Sequence, residues 1–567
     1  MGSHSKRRVS SRNVQPVLGA LIIGLFLVIG LCCGTYALID RLVDRAGPTP
    51  QVAVSALTVA CSPEKELAFT ALVDRFNAQR FKTPDGQVMQ IVPLQLDPEA
   101  MLTAVLSGNA DFQAMTPDSS VWLGQLDQAW GRQRGDEAAT VVGETVRYAV
   151  SPVVIAAWES LAREMGWPER AISWQDLLAR AQSDPNFRWS HPSTSSASGL
   201  LATLAEFYAG AGKTRGLTIE DVKAQTTLDY VAALEKTVRY YGQGNEPALI
   251  EQALKEGRAF LDAFVVQEQM VVYFNTHRRD QERLVALYPV EGALWEDHPL
   301  ALLETEGLTP YHRQVFARFR DFLLSTEAQQ LILRHGYRPA NLSIPLSGPD
   351  SPLTADNGVN PAEPKTALQI PGANVVQVVR EVWWHTKRHT NVYLVVDTSG
   401  SMRGEKLAQA QEALRVFLDQ IQGDMERVGM IQFSSGINNV IYLDELGHNR
   451  AALEAAVDGL VAGGDTALLD AVYEAFTRLQ DLGDTGRINA IVAMTDGREN
   501  NSRISLNTLV RRLERDSKVP VVIFCIAYGQ DADMDVLQAI AGPTGGQVYV
   551  GNLETIRDLY KILSTYF

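Results

Sequence analysis

Five consecutive apolar residues, Val392–Val396, end on Asp397, and Ser399 and Ser401 follow at alternate positions around Gly400. So short a run, rich in β-branched residues, suits a strand buried on both faces, as in parallel sheets covered by helices. A helical pattern begins near Lys406, which completes a strand–turn–helix unit. Open α/β sheets place ligands at the carboxyl ends of their strands. One carboxylate and two hydroxyls there form a hard oxygen set suited to Mg²⁺ or Mn²⁺. The same residues also read as a serine-rich turn whose Ser and Asp cap the next helix. The stretch alone leaves both readings open.

The rest of the chain limits the setting. With 567 residues it is too long for one core and should hold several domains. A hydrophobic share of 46% with 21% charged residues describes globular protein. The net charge of −15 argues against nucleic acid, whose binding rests on clustered Lys and Arg. Val17–Ile39 is an uncharged run long enough to cross a bilayer, preceded by Lys6, Arg7, Arg8 and Arg12. The positive-inside rule then puts residues 1–16 in the cytoplasm as a basic tail and the bulk of the chain outside the cell membrane. A cleaved signal has a shorter apolar core and small residues at its cut site, so an uncleaved single-pass anchor over 17–39 is expected. Cys32 and Cys33 suggest lipoprotein acylation, but Leu31 stands where that signal wants a small residue. Only Cys61 and Cys525 remain beyond the anchor, which is no disulfide framework, and buried thiols are expected.

After a spacer over 40–56, strand and helix patterns alternate in the manner of parallel α/β units. Leu57–Ala60 reads as a strand, with Ser62 and Pro63 starting a helix to about Ala78. Met89–Leu96 is a second strand and Pro98–Leu106 a second helix. Helices are expected at Trp174–Ala181, Ala197–Ala209 and Leu228–Tyr241, then a strand at Phe260–Val266 and helices at Thr309–Leu324 and Glu327–His335. This order, with Ser62-Pro63-Glu64-Lys65, Ala110-Asp111-Phe112, Pro117-Asp118-Ser119-Ser120, His191 to Gly199, and Phe322 to Gln330 leading to Gly336-Tyr337-Arg338-Pro339, resembles the two-lobed class II extracellular solute-binding proteins of ABC transporters. The resemblance covers 57–340 and implies two lobes closing on a ligand in a hinged cleft, as in periplasmic binding proteins. Hydroxyls at three helix starts, Ser62, Ser119 with Ser120, and Thr194, Ser195 and Ser196, would point with free backbone N–H groups toward an anion. Ordinary N-caps would look the same.

Gly210-Ala211-Gly212-Lys213-Thr214 is not a phosphate-binding loop, because Phe207 stands where that motif needs Gly and the segment ends a helical run. From Asn341 to Ala373 the chain turns rich in Pro, Ser, Gly and Asn, marking a boundary. Within the linker 341–390, Val375, Val376, Val379, Val382 and Trp383 recur at helical spacing, so an amphipathic helix should pack on a neighbouring domain.

Beyond Ser401 the expected helices are Leu407–Ile421, Arg450–Leu460, Leu468–Leu479, Leu506–Glu514, Met534–Ala541 and one near Leu553–Ser564. The strands are Val428–Phe433, Val440–Leu443, Ile488–Thr495 and Val519–Ala527, which makes a doubly wound, Rossmann-like domain over 391–567. This region resembles the von Willebrand factor A domain with its metal-ion-dependent adhesion site. The D-x-S-x-S pattern falls on Asp397, Ser399 and Ser401, the second-loop Thr on Thr466 and the third-loop Asp on Asp496. Asp465 departs from the Gly-Gly-Thr that many bacterial relatives carry. The resemblance implies that these five residues hold Mg²⁺ or Mn²⁺, and that a partner protein's carboxylate completes the shell.

A membrane-anchored protein that binds a partner protein through this metal is therefore expected, with the first domain as a sensor of a small solute. The alternative is the substrate receptor of an ABC-type transport system, with the A domain as an assembly module. No nucleophile–base pair stands behind an enzymatic reading, so none is expected.

Overall fold

Among the described residues seventeen strands carry the architecture, and the connections between them decide which residues meet. The computed structural model describes residues 56–239, 241, 246–421, 423–515, 518–529 and 531–552. The basic tail, the apolar run 17–39, nearly all of the spacer and the helix expected near Leu553–Ser564 lie outside the described residues. Among the described residues, no helix is long and apolar enough to cross a membrane.

In chain order the first strands are β1 (Leu57–Cys61), β2 (Ile91–Gln95), β3 (Ala114–Thr116), β4 (Val142–Arg147), β5 (Ala149–Trp158) and β6 (Trp189–Ser190). They are followed by β7 (Ala263–Gln267), β8 (Leu284–Leu287), β9 (Trp295–Glu296), β10 (Pro299–Leu303) and β11 (Arg338–Pro339). The last six are β12 (Thr390–Asp397), β13 (Arg427–Phe433), β14 (Ile437–Glu445), β15 (Ile488–Thr495), β16 (Val521–Tyr528) and β17 (Val548–Gly551).

Two sheets build the first region. One has the order β2-β1-β3-β10-β4, the other β11-β5-β7-β6 with β8 and β9 also paired to β5. The purely parallel pattern that the alternation suggests is corrected here. β10 runs antiparallel to β3 and β4, and β5 antiparallel to β7, β8, β9 and β11. The chain passes from one sheet to the other within β4–Tyr148–β5 and returns through Asp297 and His298, so these strands cannot enter by right-handed parallel crossovers. The run Val142–Trp158 escaped the sequence reading because a long apolar stretch broken by Pro152 carries no clear period. The helix expected over Leu228–Tyr241 spans Gln225–Glu235 instead.

The C-terminal sheet has the order β14-β13-β12-β15-β16-β17. All pairs are parallel except β13 with β14. The chain leaves β12 for β13 on one side and reaches β15 on the other. The carboxyl end of β12 is thus the switch point where such sheets open a crevice. β12, β15 and β16 are buried at every position, as their apolar runs require.

Between the two regions the Pro-rich stretch is strapped to the surface of the second lobe. Ala286 N donates to Gly358 O, Asn275 Nδ2 to Asn357 O, and Tyr208 Oη to Gln369 O at 2.6 Å. The helix Ala373–Thr386 then buries Val375, Val376, Val379 and Trp383, each contributing roughly 1.5–3 kcal/mol. It packs against the helix Val121–Arg134 of the first lobe and the helices Ala197–Ala211 and Gln225–Glu235 of the second. Trp383 Nε1 donates to Glu235 Oε1 at 2.5 Å. Immediately after it, Arg388 ties Val238 O and Tyr241 Oη to the carbonyls of Thr485 and Arg487. Lys387 and Glu426 form a fully buried ion pair at 2.7 Å. One hydrophobic cluster therefore runs without a break from Ala60 through Trp383 to Tyr528.

Candidate functional site

At the end of β12 the turn is held by the backbone. Thr398 N donates to Phe433 O, Gly463 N to Thr398 O, and Gly400 N to Gly464 O at 2.9 Å. These bonds bring the second loop over the first. Asp397 is fully buried, with Oδ1 accepting from Ser399 N at 2.7 Å and Oδ2 from Thr495 Oγ1 at 2.5 Å. Ser399 Oγ lies 2.9 Å from Ser401 Oγ, which donates to Asp496 Oδ1 at 2.7 Å. Lys406 Nζ meets Asp496 Oδ2 at 2.6 Å. Thr466 is oriented by its N–H to Asn500 Oδ1, while its carbonyl accepts from the N–H groups of Asn500 and Asn501. A methyl group on Gly497 would sit 3.2 Å from Thr466 Oγ1 and 3.4 Å from Ser401 Oγ. Gly497 thus leaves open a cradle that faces both hydroxyls.

All five residues that the sequence singles out, Asp397, Ser399, Ser401, Thr466 and Asp496, share this crevice. Burial raises the Asp397 carboxyl and the Asp496 charge adds to it, against the hydrogen bonds from Thr495 and Ser399. The donor set is oxygen throughout, two carboxylates and three hydroxyls, and the Lys406 ammonium already sits on one carboxylate. Such a set fits a hard divalent cation. Asp465 N donates to Ser435 Oγ, so the residue that departs from the family pattern is tied to a neighbouring loop. His389 contacts Glu426, and His448 contacts Asp444 on the surface.

The helix-start hydroxyls of the first region divide. Ser196 is an ordinary N-cap that accepts from Gly199 N, Ser119 Oγ accepts from Val121 N, and Ser195 Oγ pairs with Ser193 Oγ. Ser120 offers its N–H to Asp297 Oδ1, and Thr194 is buried. Ser62 does not cap its helix, and its buried hydroxyl has no hydrogen-bond partner. Cys61 and Cys525 are buried free thiols, each pushed up to about 12 by burial.

Beside Ser62 the structure assembles groups that sequence reasoning did not select. Glu64, Lys65 and Asp118 come from the first lobe, Ser198, Glu246 and Glu296 from the second, and His298 from the crossing between them. All are buried. Lys65 Nζ lies 3.2 Å from Asp118 Oδ1 and donates to Pro117 O at 2.7 Å. Burial, with neighbouring carboxylates, holds Glu64 and Glu296 well above the usual carboxylate range and Glu246 at about 8. Burial and then Lys65 push His298 down to about 4. Asp118 stays below its ordinary value, because Lys65 and His298 outweigh its burial. His298 also has a φ of 34°, in the left-handed region that non-glycine residues seldom occupy. Glu64, Lys65, Asp118 and Ser198 lie in segments the resemblance had marked, and the signal that could have found Glu296 is an acidic residue at the end of an apolar run, as in Trp295-Glu296-Asp297-His298.

Comparison with known proteins agrees with this division. Residues 57–338 match the family described as bacterial extracellular solute-binding protein, and residues 391–563 the von Willebrand factor type A domain. An uncharacterized protein of Synechocystis is 28% identical over 183 residues, 31% of this chain and 41% of that protein. The human inter-alpha-trypsin inhibitor heavy chain H2 is 24% identical over 182 residues, 30% of this chain and 19% of that protein. The chain therefore spans less than half the length of either relative. Among solved structures, the sulfate-binding protein SubI of Mycobacterium tuberculosis is 18% identical with a TM-score of 0.36, covering 51% of this chain and 88% of that one. This chain joins a bacterial solute-binding domain to a von Willebrand factor type A domain.

Proposed function

We propose that this is a membrane-anchored, extracytoplasmic protein that binds Mg²⁺ or Mn²⁺ in its A domain and, through it, an acidic residue of a partner protein. The observation that supports the reading is the linked set of five oxygen-bearing side chains, with Ser401 joined to Ser399 and Asp496 and facing Thr466 across Gly497, and Asp397 bonded to Ser399 N. Ser399, Ser401 and Thr466 would hold the ion through hydroxyl oxygens, and Asp397 and Asp496 would supply charge. A bound ion would leave a coordination position for a carboxylate from outside. Asp397 is kept in place by Thr495 and Ser399 N–H, so this carboxylate is oriented before any ligand arrives. The anchor over 17–39 sets the site outside the cell in this reading.

Titration calorimetry with Mg²⁺ on the wild-type chain and the Asp397→Ala/Asp496→Ala double variant tests the proposal. Heat from the wild type alone is expected, and equal heats from both would sink it.

The first domain acts as a solute sensor in this reading, or as the receptor of a transport system. The meeting of buried polar groups from both lobes favours a closed ligand cleft over an inert spacer. Thermal-shift screening of small solutes on the full chain checks this, and stabilisation by at least one class is expected.

A further inference from the structure

We propose that the cleft of the first domain holds a divalent transition-metal ion, of the Mn²⁺, Fe²⁺ or Zn²⁺ kind, ligated by Asp118, Glu296 and His298. The proposal rests on reading that domain as a ligand cleft and is independent of the adhesion site in the A domain. One ligand atom from each of the three residues lies within 4.8 Å of the others. Donors that sit about 2.0–2.3 Å from a shared ion fall within that mutual distance. Asp118 and Glu296 are 0% exposed and His298 is 1% exposed, so bulk solvent does not reach them.

Their hydrogen-bonding capacity is largely unused. His298 Nε2 and Glu296 Oε2 have no hydrogen-bond partner, and Asp118 Oδ1 lies 3.2 Å from Lys65 Nζ and 3.3 Å from His298 Nδ1 without a well-formed hydrogen bond to either. Glu64 Oε2 and Glu246 Oε2 nearby are also without one. Buried polar atoms are nearly always paired, so this many at one place need an explanation. Ser198 cannot provide it. Its hydroxyl lies 2.7 Å from Glu296 Oε1 and also against Glu246 Oε1, and one proton serves only one of the two.

Charge points the same way. Glu64, Asp118, Glu246 and Glu296 are four buried carboxyl groups, and among the described residues beside them the Lys65 ammonium sits on Asp118. Lys65 is itself committed to Asp118, Thr116 Oγ1 and Pro117 O. An entering oxyanion would add negative charge beside these carboxyl groups, whereas a dication would offset the charge of those that ionise as it binds. Two carboxylates with an imidazole favour first-row transition ions, since Mg²⁺ and Ca²⁺ prefer oxygen alone. Asp118, Glu296 and His298 come from the two lobes and their crossing, so a bound ion would bridge the lobes.

The test uses the purified full chain, stripped with chelator and then loaded with MnCl₂ or ZnCl₂ in excess Mg²⁺, followed by dialysis and elemental analysis. The wild type and the Asp397→Ala/Asp496→Ala variant are both expected to retain about one equivalent of Mn²⁺ or Zn²⁺. Glu296→Gln and His298→Gln should weaken retention by at least the roughly 10- to 100-fold that loss of an outer-shell partner costs. Their response to Mg²⁺ should be unchanged. Pulsed EPR of Mn²⁺ on the unmutated chain should show coupling to an imidazole nitrogen, a readout that needs no variant to fold. Absence of that coupling, or retention unaltered in both cleft variants, would overturn the proposal. Stabilisation by sulfate, phosphate or spermidine but not by Mn²⁺ or Zn²⁺ would overturn the metal and leave the ligand cleft standing. No stabilisation by any of these probes would overturn both.

Discussion

Two residues around the adhesion site act by charge and by size. Lys406 holds Asp496 Oδ2 at 2.6 Å and competes there with any entering cation. Lys406→Met is expected to tighten Mg²⁺ binding by roughly 5-fold, the ~1 kcal/mol scale of one partly exposed charge at that range. Calorimetric titration checks it. Gly497 works by the absence of a side chain, since a Cβ would press on Thr466 Oγ1 and Ser401 Oγ. Gly497→Ala should weaken Mg²⁺ at least about 10-fold by displacing ligands, as perturbed ligand geometry does elsewhere. The circular dichroism spectrum should not change, because the space is local. Asp397, Ser399 and Ser401 could be read from the sequence as an oxygen set at a strand end, and the family resemblance added Thr466 and Asp496 to it. Lys406 and Gly497 could not, because their roles depend on which oxygen the fold sets beside them.

At the scale of elements, the helix Ala373–Thr386 decides how the two domains behave. Its apolar spacing was legible, and Val375, Val376, Val379 and Trp383 are indeed buried. What the spacing did not reveal is that the helix touches both lobes. Gln125 Nε2 of the first lobe donates to Ala373 O at 2.9 Å, and Arg380 pairs with Glu99, while Trp383 reaches Glu235 in the second lobe. Trp383→Ala removes a buried ring and leaves the Glu235 carboxylate with one donor fewer. It should cost about 3–5 kcal/mol and split calorimetric unfolding into two transitions. A single transition at unchanged temperature would contradict this account of the helix. Strand β5 shows the opposite case, a long element hidden in the sequence because burial on both sides erases alternation.

For the whole molecule, acid stability should be governed in part by the buried pair Lys387–Glu426, which sits where linker and A domain join. Burial raises the Glu426 carboxyl, but Lys387 and His389 outweigh it and hold it at about 2, below the ordinary 4.5. A depressed carboxylate contributes stability that is present above its unfolded value and lost as pH falls through the folded one. Chemical denaturation should therefore show a loss on the order of 3 kcal/mol between about pH 4.5 and pH 2. Glu426→Gln should flatten that window. It should also lower stability at neutral pH, because Lys387 then stays buried without its counter-charge.

The sequence by itself determined the order of domains, the doubly wound A domain and the oxygen set at the end of β12. Those features depend on local periodicity and on residues within a few positions of a strand end. The tertiary structure alone decided the antiparallel strands that cross between lobes, the strapping of the Pro-rich stretch and the cluster of Glu64, Asp118, Glu246, Glu296 and His298. The physical reason is sequence distance. Those five residues come from segments as far apart as 64 and 298, and only the meeting of the two lobes removes them from water together.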